Sequence, residues 1–288
     1  MQKDRPSTSR PVPSSLLFFL ILCLAAGLTE ILLATLASYL TKDPDLLRAA
    51  WLFSSLPAIA VILLLCRGLL GLHPRELLLN RTHAVRDYLC GALLGGGLFA
   101  TAVGICLLAG AVWIEGTGGA ATWRWLTVSV GFLLQGAKEE LLCRGFLLPS
   151  VADRTRPWVG VCASAAAFVL LHLGNEGLSP IALLNLALFG VLTAKLTLRR
   201  GSLWLVCALH SAWNIAEGCI FGTAVSGTER NAALLRTTAD PARALWNGGN
   251  FGPEGGLAVT IVLCAAIAAV IASERRQAGH GDVEKKNA

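Results

Sequence analysis

Apolar residues fall into long runs separated by short polar connections, with neither the alternation of a half-exposed strand nor the one-sided stripe of a surface helix. Such runs predict helices that are hydrophobic all round. At about 20 residues each they are long enough to cross roughly 30 Å of hydrocarbon. Eight segments fit: residues 16–40, 49–66, 88–114, 125–149, 157–173, 180–198, 202–221 and 256–272. The expected fold class is all-α, a polytopic membrane helical bundle with about eight transmembrane helices. A cytoplasmic leader is expected over 1–15, the membrane domain over 16–272 and a cytoplasmic tail over 273–288. The first run follows Lys3, Arg5 and Arg10 as a secretory signal would, but it exceeds the 7–15 residues of a signal core and reads as a membrane helix. Two connections are longer: 67–87, basic and expected to hold part of an interfacial helix, and 222–255, rich in Gly, Thr and Asn and expected to be a loop.

Composition agrees with a bilayer environment: 55% of residues are apolar, only 15% are charged, and the mean hydropathy is +0.63. The net charge of +6 does not point to nucleic acid, because the basic residues flank apolar runs and form no stripe interleaved with aromatics. They report orientation instead. With the N-terminus in the cytoplasm the inner side collects 16 Lys and Arg and the outer side 6, so both termini are expected there. Short loops and an Ala/Gly/Leu-rich composition fit a bacterial inner membrane. Nine cysteines contain no CxxC pair and sit in or beside apolar runs, which makes them small apolar fillers rather than disulfides or a structural zinc site. Gly91 and Gly95 form a GxxxG spacing suited to close helix approach, within a monomer or in a weak homo-oligomer.

Charge inside a membrane helix is expensive and usually functional. Segment four nevertheless carries Lys138, Glu139, Glu140 and Arg144 within seven residues. Glu140 and Arg144 are four apart and share a helical face, whereas Glu139 is turned away and is the freer carboxylate. Two of the five histidines also lie in apolar segments: His172 follows Phe168 by four residues, and His210 precedes Asn214 by four. A solvated loop would tolerate the charges, but apolar residues border them on both sides. A proton-coupled transporter would use them as a relay. Depth counted from the expected cytoplasmic ends, at 1.5 Å per residue, brings Glu139 and His210 to roughly 12–15 Å, which favours the cytoplasmic half of the membrane, whereas His172 at roughly 22 Å does not match them unless its helix is tilted or enters the membrane later.

The motifs Glu139-Glu140-x-x-x-Arg144, Phe168-x-x-x-His172 and His210-x-x-x-Asn214, in this order on membrane helices, resemble the CPBP family of CAAX-protease and bacteriocin-processing intramembrane peptidases. The resemblance covers 139–214 within a catalytic core expected over 125–221. It implies an intramembrane endopeptidase in which Glu139 with His172 activates water and His210 with Asn214 stabilises the oxyanion. Glu140 is carried over as part of the catalytic set, Arg144 and Phe168 as supporting residues. The implied substrate is a membrane protein or a lipidated peptide such as a CAAX tail, met at the lipid bilayer. A zinc-dependent version, with Glu139, His172 and His210 as ligands, stays open, although no HExxH motif is present. So does a protein of the bacteriocin-immunity type. Cys143 lies near the site, but nothing in the sequence sets a base beside it.

Overall fold

The computed structural model describes residues 12–119, 122–228 and 233–287; Lys3, Arg5, Arg10 and Arg230 lie outside them. Helix α1, Val12–Leu40, is followed by α2, Pro44–Phe53, and α3, Ser55–Leu70. Asp43 starts α2, accepting from the amides of Asp45 and Leu46, with Pro44 in the first turn where its missing N–H costs nothing. Only Ser54 separates α2 from α3, and the two together span Pro44–Leu70 as one apolar stretch. The basic connection that follows holds turns rather than an interfacial helix, and buries Leu77 and Leu78.

Helix α4, Ala84–Leu108, ends earlier than its apolar run suggested. Gly110, in a left-handed conformation, turns the chain into strand β1, Val112–Thr117. This strand pairs antiparallel with β2, Leu235–Ala239, which lies inside the connection read as a loop. Between the strands come α5, Thr122–Glu140, a π-helical turn over Leu141–Leu147, α6, Leu148–Ala152, α7, Pro157–Leu171, and α8, Pro180–Arg200. Helix α9, Trp204–Asn214, continues as a second π-helical segment, Ile215–Ile220; α10, Ala244–Asn247, and α11, Leu257–Asn287, complete the fold. Among the described residues the bundle is all-α apart from this one two-stranded antiparallel pair.

Among the described residues five helices are long and apolar enough to cross a membrane: Ser14–Leu40, Pro44–Leu70, Ala84–Leu108, Pro180–Arg200 and Leu257–Gln277. The chain is an integral membrane protein by this measure, but the eight expected crossings are not eight uniform helices. Helix α7 is apolar but short. Helices α5 and α9 carry the polar motifs and change from α to π geometry directly beyond Glu140 and Asn214. Isolated π turns recur at functional sites, because the wider turn redirects the side chains around it.

Residues 222–228 and 233–256 fold back into the bundle. Phe251 is fully buried in the main core, and Asn185 of α8 donates to the carbonyls of Glu254 and Gly256 at 2.7 and 2.9 Å. Asn247 does the same for Ala111 and Asp240, each at 2.8 Å. Irregular backbone packed against apolar helices needs such partners. Glycines set the approach of α4 to α9: a Cβ on Gly91 or Gly95 would lie 2.0 Å from the carbonyl oxygen of Leu205 or Leu209. The GxxxG pair therefore faces α9 within the chain, the helix that carries His210.

Connections at the two ends of the bundle are tied separately. At one end Asn80 donates to Gly201 at 2.7 Å and Arg200 pairs with Asp87 at 2.9 Å. At the other, Arg124 pairs with Asp43 and Asp45, Arg243 bonds to Ala109, and Asn175 donates to Ser226 at 2.7 Å.

Candidate active site

Helix α5 delivers two adjacent carboxylates to different environments. Glu140 is fully buried, accepts from Arg144 Nη1 at 3.0 Å one turn ahead, and accepts from His210 Nδ1 at 2.9 Å. Glu139 is turned toward a cavity, where Gln135 Nε2 donates to its Oε1 at 3.1 Å. Its Oε2 has no hydrogen-bond partner and lies 3.9 Å from His210 Nε2. The sequence expectation that Glu139 is the freer of the pair agrees with this geometry.

The two imidazoles are oriented in the same way. The backbone carbonyl of Phe168 can only accept, so the 2.8 Å contact from His172 Nδ1 fixes the proton there. His210 Nδ1 is fixed likewise by the Glu140 carboxylate. Both Nε2 atoms are thereby released from structural duty. Their rings are held by aromatics. Phe168 packs 4.6 Å from His172 and 5.7 Å from His210, Phe189 lies 5.2 Å from His210, and the Arg144 guanidinium sits 4.7 Å over the Phe168 ring. Phe168 therefore touches three of the motif residues at once, a role its place four residues before His172 does not reveal.

Glu139, His172, His210 and Asn214 line one cavity of about 250 Å³, bordered by α1, α2, α5, the end of α7, α9 and residues 225–228. Glu140, Arg144 and Phe168 stand behind this wall. His172 is not deep within a long helix: α7 ends at Leu171, and His172 caps it. The sequence-based depth mismatch came from treating 157–173 as a full crossing. The cavity reaches toward Arg48, Asn175 and Thr228, the opposite end of the bundle from the one that the counting favoured.

Three groups escaped the sequence reading. Glu30 of α1 accepts from Lys138 Nζ at 2.7 Å and from Ser55 at 2.9 Å, which explains how Lys138 is tolerated at the cavity wall. Glu254 accepts from Trp213 Nε1 at 2.8 Å and from Ser226. Glu217, fully buried, faces Glu254. Glu30 and Glu217 lie inside segments read as membrane helices, and a carboxylate in that setting is a signal in itself.

Among the described residues no three His, Cys, Asp or Glu side chains converge closely enough to hold a metal ion. The Glu139, His172 and His210 zinc set considered from the sequence does not fit this arrangement. Cys143 is fully buried and is not part of the cavity wall.

The three motifs and their common cavity can be set beside known proteins. Residues 121–216 match the family model described as type II CAAX prenyl endopeptidase Rce1-like. The match contains all three motifs and bears out the resemblance to the CAAX protease family; the segments before and after it, including Glu30 and Glu254, lie outside it. Searches of curated proteins and of solved structures returned no significant match.

Proposed function

We propose that this chain is an intramembrane endopeptidase that hydrolyses a peptide bond in a membrane-associated or lipidated protein, using water activated by Glu139. The observation that carries this reading is the convergence of Glu139, His172, His210 and Asn214 on one cavity, with an unpartnered Glu139 oxygen facing it.

Glu139 Oε2 takes a proton from a water that His172 Nε2 helps to orient as acceptor. The resulting hydroxide adds to the peptide carbonyl. Negative charge develops on the carbonyl oxygen, and Asn214 and His210 Nε2 donate to it. His210 can donate from Nε2 only as an imidazolium, because its other proton is already committed to Glu140. The Glu140 carboxylate supports that charged form. Collapse of the tetrahedral intermediate breaks the C–N bond as Glu139 returns its proton to the leaving amine. Neither a covalent intermediate nor a metal is needed. A preorganised oxyanion donor is typically worth about 3–4 kcal/mol, and a positioned general base about 10²–10⁴ in rate.

Host and orientation belong to the same reading: a bacterial inner membrane with both termini in the cytoplasm and the bilayer as constant partner. The deciding experiment co-expresses a library of membrane-proximal peptides with the wild type or with Glu139→Ala. Cleavage by the wild type alone is the expected result. Equal cleavage by both removes Glu139 as the base.

A further inference from the structure

We infer that the catalytic cavity opens to the non-cytoplasmic face of the membrane, so that the substrate is polypeptide presented there: the juxtamembrane segment of an exported or membrane-inserted protein rather than a cytosolic lipidated tail. This rests on the hydrolase reading for its substrate, but not for its geometry.

The direction of opening follows from the burial of the wall. Beyond Glu139 along α5 the chain is closed: Glu140 and every residue of Leu141–Leu147 are buried. In the other direction the wall passes from buried His210 and Asn214 to partly exposed Arg48, Asn175, Ser226 and Thr228. Connectivity places all four of these at one end. Arg48 lies in the first turns of α2, Asn175 follows α7, and Ser226 and Thr228 follow the π segment after α9. Cross-links hold that end together, with Arg48 donating to Thr228 at 2.9 Å and Asn175 to Ser226 at 2.7 Å.

Charge assigns the ends. Arg67, Arg75, Arg81, Arg154, Arg156 and Arg199 gather at the closed end. The open end holds fewer basic residues, and Arg124 and Arg243 there are matched by Asp43, Asp45 and Asp240. Short connections rich in Lys and Arg stay in the cytoplasm. The cavity therefore faces the other side, and a chain reaching Glu139 must come from there.

Two added-cysteine reporters in the full-length protein test this, with the exposed Cys90, Cys162 and Cys264 and the half-buried, cavity-lining Cys23 replaced by Ala. Gly174→Cys stands beside His172 at the open end, where an added Cβ meets nothing within 4 Å. Thr155→Cys lies in the exposed connection at the closed end. In intact bacterial cells a membrane-impermeant maleimide is expected to label Gly174→Cys, and to label Thr155→Cys only in inverted vesicles. The reverse pattern overturns the inference whether or not any substrate is cut. A single-pass reporter bearing its cleavable segment outside the membrane is then expected to be cut in a Glu139-dependent way, while one bearing it in the cytoplasm is not. Cleavage of only the cytoplasmic reporter also overturns the inference. The expected labelling with no cleavage of either reporter counts against the hydrolase reading alone.

Discussion

His210 donates its Nδ1 proton to Glu140 Oε1 at 2.9 Å, and the same oxygen accepts from Arg144 at 3.0 Å, so one buried carboxylate oxygen holds a histidine and an arginine together. Glu140 is thus a positioning residue: it fixes the tautomer of His210 and balances Arg144 without touching the cavity. Removing one member of a buried ion pair strands its partner and typically costs about 3–5 kcal/mol. Glu140→Gln is expected to lower the thermal midpoint in detergent and to reduce kcat. The double variant Glu140→Gln with Arg144→Met is expected to recover part of the stability but not the activity, since Arg144 is no longer stranded while His210 still lacks its anion. Additive stability losses in the double-mutant cycle count against the pairing.

Glu139→Gln separates chemistry from architecture. The amide keeps the shape and can still meet the Gln135 side chain, whereas it cannot take a proton from water. Hydrolysis is expected to fall by about 10²–10⁴ at unchanged thermal stability, the range for loss of a general base. Activity within a factor of a few of the wild type would remove Glu139 from the mechanism.

Much of this site was legible in the sequence, for a physical reason: a charge in an apolar run has to be partnered or face a cavity, so Lys138–Arg144, His172 and His210 identified themselves. Hydropathy also located the long helices α1, α4, α8 and α11. It failed where polar and apolar demands mix. Segment 222–255 looked like a solvated loop because its Asn, Gly and Thr residues are polar, yet Asn247 spends its polarity on the Ala111 and Asp240 carbonyls and lets Phe251 enter the core. Single-residue spacing could not show this, since the partners lie more than 100 positions away in the chain for Ala111. The α-to-π changes after Glu140 and Asn214 were equally invisible, because the same apolar residues satisfy either helix.

Metal dependence has a direct test. With no three donor side chains gathered among the described residues, incubation of the purified protein with a strong zinc chelator is expected to leave hydrolysis unchanged. Inactivation that zinc restores would show that Glu139, His172 and His210 draw together in the working enzyme.

The α4–α9 contact makes neighbouring glycines unequal. A Cβ at Gly95 would lie 2.0 Å from the Leu209 carbonyl oxygen, beside His210, whereas one at Gly96 meets nothing within 4 Å. Gly95→Ala is expected to push the helices apart, lowering stability by about 1–3 kcal/mol as overpacking does and reducing kcat by displacing His210. Gly96→Ala is expected to match the wild type in both measurements. Equal behaviour of the two variants would show that this contact does not position α9.

Behind Asn214, Glu217 faces Glu254, which already accepts from Trp213 and Ser226. Two ionised carboxylates facing each other away from water repel. Glu254 anchors Trp213 and Ser226, so the two should respond differently to substitution. Glu217→Gln removes one of the two facing carboxylates and places an amide donor beside Glu254, and is expected to keep the thermal midpoint at or above that of the wild type with activity nearly unchanged. Glu254→Ala takes the acceptor from Trp213 Nε1 and Ser226 and is expected to destabilise the chain by several kcal/mol, in line with the cost of about 1–3 kcal/mol for each buried polar group left unsatisfied. Because Trp213 adjoins Asn214, its loss of anchorage is expected to lower kcat more than it raises KM. A Glu217→Gln variant that unfolds as readily as Glu254→Ala would show that Glu217 is held by partners other than Glu254.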